Sequence, residues 1–147
     1  MKLTELMIGD QVKYQGLYTE VVDIVSCGST YPLTLANIKD PEDVRLLFGQ
    51  NLKDVKPIAI TPEILKANGF VEKEAGKGRL VWTDGETVDI EMWKTCGPKW
   101  SLEILSKDRM QGMTLLIPSV HELQHAVRLM GLYDFANNLV IEEGGQQ

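Results

Sequence analysis

The chain of 147 residues is 44% hydrophobic and carries a formal net charge of −6, so it holds enough apolar material to bury a core without covalent help. Residues 1–57 contain 6 Lys and Arg against 8 Asp and Glu, and residues 58–147 contain 9 against 13. Neither part is the basic footprint that neutralises phosphates, which disfavours nucleic acid as a partner. No apolar run reaches the length of a membrane span, and Met1-Lys2-Leu3-Thr4-Glu5 lacks a secretory pattern, so a cytoplasmic protein with no membrane partner is expected.

In chain order, Ile8 to Gly16 alternates apolar and polar residues between two glycines, and Glu20 to Val25 is rich in β-branched residues. Two paired strands are predicted there. Further strands near Leu33 to Ile38 and Val55 to Ile60 complete a small SH3-like β-rich unit over 1–57. Between them, Asp40 is expected to cap a short helix with Pro41 at its first position and Gly49 just past its end. Thr61-Pro62-Glu63-Ile64-Leu65-Lys66-Ala67-Asn68-Gly69 predicts a two-turn helix with a capping Thr, an initial Pro and an Asn-Gly stop. Pro57 and Pro62 bracket the boundary to a second unit, 58–147.

A polar stretch from Glu72 to Gly78 precedes Leu80 and Trp82, which alternate with polar neighbours up to the hairpin turn Asp84-Gly85. On the return strand Val88, Ile90 and Met92 face one way while Thr87, Asp89 and Glu91 face the other. Cys96-Gly97-Pro98 turns the chain into Trp100, Leu102 and Ile104. A polar loop from Ser106 to Gln111 leads to a last strand, Met113 to Ile117. The expected fold is α+β, the second unit being an antiparallel meander packed by two short helices, the one capped by Thr61 and the one over 120–130.

The one catalytic-looking motif is His121-Glu122-Leu123-Gln124-His125. Residues four apart share a helix face, so both imidazoles reach one zinc while the Glu handles the proton of the attacking water. The context favours a packed helix instead. Ser119 and Glu122 have capping-box spacing, in which the Ser side chain accepts from the Glu amide and the carboxylate reaches back. Val120, Leu123, Val127 and Met130 form an apolar stripe, and Gly131 ends the helix. Arg128, one turn past His125, opposes a dication. No third His follows; among the residues after His125, Asp134, Glu142 and Glu143 remain as acidic third ligands, none at a diagnostic spacing. A structural zinc on Cys27, Cys96, His121 and His125 has spacing unlike zinc-finger patterns, and the two cysteines read as reduced, partly buried thiols. Trp82, Trp93 and Trp100 with Arg79 and Lys99 offer a stacking platform for bases, but strand alternation places Trp82 and Trp100 on apolar faces, which favours core packing.

Three stretches taken together, Ile8-Gly9-Asp10-Gln11-Val12, Pro57 to Leu65 running into Asn68-Gly69-Phe70, and Val120-His121-Glu122-Leu123-Gln124-His125, resemble small uncharacterised proteins of Bacteroidetes genomes, their phages and mobile elements. The resemblance implies a phage or mobile-element context, where small acidic proteins act by binding. It implies no activity, and it does not require the second histidine. The function expected is therefore that of a non-enzymatic binding or interaction protein, with a protein or small-molecule partner and no cofactor. The alternatives are a zinc-dependent hydrolase with His121 and His125 as ligands and Glu122 as general base, and a small-ligand or nucleic-acid binder using the tryptophan region.

Overall fold

The computed structural model describes residues 1–25, 28, 30–73, 79–83, 88–94, 100–106, 112–115 and 119–141. The chain is mixed α+β and divides into two compact units, Met1–Ile58 and Ala59–Gln147.

The first unit is a five-stranded antiparallel sheet of β1 (Gln11–Tyr14), β2 (Leu17–Ile24), β3 (Leu33–Asn37), β4 (Val44–Leu47) and β5 (Val55–Lys56), in the order β4-β3-β2-β1-β5. β1 and β2 are joined by Gln15 and Gly16, both at positive φ (49° and 81°). That is the two-residue turn whose twist suits an antiparallel pair, and Gly16 takes it without a Cβ penalty. The register slips between Val21 and Asp23, a bulge that leaves Val22 outside the ladder. Alternation then gives the sheet one apolar face, where Val12, Tyr14, Val21, Leu33, Leu35, Leu47 and Val55 bury together with Leu6. β5 is shorter than the expected Val55–Ile60 run because Pro57 has no N–H to give to a ladder.

The helix expected from Asp40 does not form. Asp40-Pro41-Glu42-Asp43 is a β-turn in which Asp43 N–H donates to Asp40 O (2.9 Å), and the chain returns along β3 as β4, pairing Leu33 with Leu47 and Ala36 with Val44. Pro41 suits both structures, since the φ it fixes serves a helix start and the second residue of a turn alike. Pairing with β3 decides the outcome, because it buries Leu47 against the core cluster.

In the second unit, α1 (Pro62–Ala67) has the predicted ends. Thr61 Oγ1 accepts from Ile64 N–H at 3.3 Å. At the other end Gly69 (φ 82°) donates to Lys66 O and Phe70 to Leu65 O, a Schellman closure. The sheet is an antiparallel meander of β6 (Val71–Lys73), β7 (Arg79–Thr83), β8 (Val88–Lys94), β9 (Trp100–Ser106) and β10 (Gly112–Leu115), hydrogen-bonded in that order. Trp82, Ile90 and Ile104 are register partners and all are buried, a continuous apolar row across three strands. β6 lies partly in the stretch expected to be an irregular polar segment. The turns at Asp84-Gly85 and Cys96-Gly97-Pro98 fall outside the described residues.

Two further helices follow, α2 (Val120–Leu129) and α3 (Tyr133–Asn137). An isolated antiparallel bridge between Ala59 and Ser119 sets the chain entering α1 beside the chain entering α2. α3 is too short to carry a helical period and was not expected. It is held by Gln124, whose Nε2 donates to Ala136 O at 3.1 Å, and by the edge-to-face contact of Phe135 with Phe70 (5.8 Å).

Candidate functional site

The helix carrying the histidines begins at Val120 as predicted and ends in a Schellman closure, with Gly131 (φ 82°) donating to Arg128 O and Leu132 to Val127 O. Of the expected apolar stripe, Val120, Leu123 and Val127 are buried and Met130 is half-buried; Ala126, outside that stripe, is buried beside them. The neighbouring face is also largely buried. His121 is 6% exposed, Gln124 and Arg128 are buried, and only His125 is partly open.

The capping box is not formed. Ser119, itself 2% exposed, makes no side-chain cap bond; its Oγ lies 3.1 Å from His121 Nδ1 and shares a hydrogen bond with it. The hydroxyl is committed to a buried imidazole whose loss of a partner would be costly. Glu122 is therefore not held by the cap. Its Oε2 is shielded from solvent and has no hydrogen-bond partner among the described residues.

The two imidazoles do meet, edge to face, with ring centroids 5.8 Å apart and planes at 84°. That follows from their four-residue spacing on one helix. Among the described residues, no group of three His, Cys, Asp or Glu converges as a metal site would require. Asp134, the described candidate for a third ligand, is exposed on α3 and lines an open hollow of about 420 Å³ with Gly131, Leu132, Tyr133 and Phe135. Glu142, Glu143, Cys27 and Cys96 lie outside the described residues.

The stacking platform loses a principal member. Trp82 is 1% exposed and sits in the apolar row of the sheet, so its ring has no face to offer a base. Trp93 and Trp100 take strand positions in β8 and β9, and Lys99 lies outside the described residues.

Sequence reasoning missed a surface on the first unit. β4 is the terminal strand of its sheet, and on its outer side Val44, Leu46 and Phe48 are 48%, 58% and 42% exposed. Tyr31 rests against Phe48 with ring centroids 4.6 Å apart. Single exposed apolar residues are ordinary, but a row of them on an unpaired strand edge is what sheet proteins otherwise blunt with charge. The signal was present as the alternation of residues 44–48, which a helix assignment concealed. On the opposite face of the strand, Arg45 Nε donates to Asp43 Oδ1 at 2.8 Å, so the one basic residue of β4 is neutralised by the turn that precedes it.

No protein family, curated protein or solved structure matches the chain. No described helix is long and apolar enough to cross a membrane.

Proposed function

We propose that the protein acts by binding another protein rather than by catalysis, and that it binds through the outer face and free edge of β4. The observation that carries this reading is the exposed row Val44, Leu46 and Phe48, extended by Tyr31, on a terminal strand. A partner strand added there would gain main-chain hydrogen bonds and cover apolar surface in one step. We read the first unit as SH3-like, a reading supported by its five short strands and by the return of β5 to β1. A phage or mobile-element setting, with the protein in the cytoplasm, suits a small acidic binder of this kind.

The test compares affinity capture by wild type and by Leu46→Lys from lysate of the source cells. A partner held by wild type and lost by the variant, with thermal stability unchanged, is the expected result. A partner retained equally by both would reject β4 as the binding surface.

A second reading keeps zinc hydrolysis, because Glu122 Oε2 has no hydrogen-bond partner among the described residues and the Ser119 bond to His121 Nδ1 resembles the outer support given to metal-binding imidazoles. Under it His121 and His125 bind zinc, Glu122 is the general base and the third ligand is acidic. Metal content of untagged protein decides between the readings. The binding account expects no stoichiometric zinc, whereas zinc present in wild type and lost in His125→Ala would establish the second.

A further inference from the structure

Resting on the reading of β4 as the binding edge, we infer that its occupant is β4 of a second copy of this chain, joined antiparallel about a two-fold axis through Leu46. The backbone selects the residues that pair. Asn37 N–H donates to Asp43 O, and the register runs Ala36 with Val44, Leu35 with Arg45 and Thr34 with Leu46. Peptide groups in an antiparallel ladder alternate in direction, so those of Asp43, Arg45 and Leu47 face β3 while those of Val44 and Leu46 face outward. Phe48 continues the extended backbone (φ −65°, ψ 154°) and its N–H keeps the same outward sense.

Two strands paired through outward groups must match even positions with even positions, which restricts the axis to a residue and forbids it between residues. An axis through Leu46 sets Leu46 against Leu46 of the second copy and Val44 against its Phe48. All three members of the exposed row then meet apolar partners on one face. On the other face Arg45 stands opposite Leu47 of the second copy, so no like charges meet. An axis through Arg45 would oppose two guanidinium groups at the closest cross-strand separation, and an axis through Val44 would set Leu46 against Glu42. An axis through Leu47 would set Val44 against Gln50, which lies in the 3-10 helix Gly49–Asp54, so charge and apolar matching together favour the axis through Leu46. Leu46 contributes a reciprocal pair of main-chain bonds. Phe48, whose carbonyl already accepts from Asn51 N–H (2.9 Å), adds its N–H to the Val44 carbonyl of the second copy. An isologous contact of this kind closes on itself as a dimer and does not propagate.

The test uses the full chain. Sedimentation velocity from about 1 to about 100 µM should show a concentration-dependent dimer, and Leu46→Lys should weaken it at least about tenfold. Under mild oxidation Leu46→Cys should give a disulfide-linked dimer, because residues facing each other on the axis lie within disulfide reach. Wild type, which carries Cys27 and Cys96, and Arg45→Cys are the controls and should give none. A protein monomeric throughout the range, a dimer indifferent to Leu46→Lys, or a link formed by Arg45→Cys in place of Leu46→Cys would each overturn the proposal. A monomer that still captures a lysate partner lost on Leu46→Lys would overturn the dimer while leaving β4 as the binding edge.

Discussion

Ser119 has one hydroxyl and two claims on it, a helix amide and a buried imidazole. The imidazole takes it, at 3.1 Å. Ser119→Ala is expected to cost about 1 kcal/mol, as a lost cap would, so the single variant does not separate the two roles. A double-mutant cycle with His121→Phe does. If the hydroxyl acts through the ring, the coupling is about 1 kcal/mol; additivity within about 0.3 kcal/mol in thermal or denaturant unfolding would contradict the assignment. Asp43 carries a pH-dependent contribution of its own. The guanidinium of Arg45 and then the amide of Asn37 hold its carboxyl below the usual carboxylate range. Because the folded value is depressed, the contribution of the pair is complete above the unfolded value of about 4 and fades as pH falls through the folded one. Asp43→Asn should be modestly less stable than wild type near neutrality, with the gap closing in acid. A gap that does not change with pH would show that the charge is irrelevant there.

Elements were legible where their signals are local. Thr61 with Pro62, Asn68-Gly69 and Met130-Gly131 fix the ends of α1 and the end of α2, because a cap oxygen or a positive-φ glycine acts within one turn of chain. The alternation around Trp82, Ile90 and Ile104 likewise located the second sheet. What was not legible depended on distant partners. Asp40-Pro41 fits a helix start and a turn equally, and only pairing of Leu47 with Leu33 settles it. The motif at 121–125 announced two imidazoles on one face, but that Ser119 would turn to His121, leaving Glu122 outside a capping box, depends on burial around the helix. Asn68 shows the same limit. Beyond closing α1, its Nδ2 donates to Val140 O at 2.7 Å and its Oδ1 accepts from Val140 N–H at 2.8 Å, gripping both sides of a residue 72 positions away. Asn68→Ala should therefore speed hydrogen exchange at the Val140 amide and cost about 1 kcal/mol. Unchanged exchange at Val140 would mean that the grip is not maintained in solution.

At the scale of the molecule, each unit has its own sheet and its own buried row, and the two candidate functions fall one in each. The histidine helix of the second unit is built mainly as packing: its apolar stripe is buried, His121 is bonded to Ser119, and Gln124 ties the helix to α3. The first unit instead leaves apolar side chains outside on a strand whose outer edge has no neighbour in the sheet among the described residues. Binding at such an edge needs little further ordering of the backbone, since β4 is already extended and held by β3 and its turn. That is the physical basis for reading the protein as a binder.

The claim that β4 is the binding edge is tested most directly by amide hydrogen exchange on the full chain, free at low concentration and again in its bound state, whether self-associated or with a captured partner. If β4 is the binding edge, the Val44 and Leu46 amides, which point away from β3, exchange rapidly when free and become protected when bound. Protection that develops elsewhere while Val44 and Leu46 exchange at an unchanged rate would contradict it.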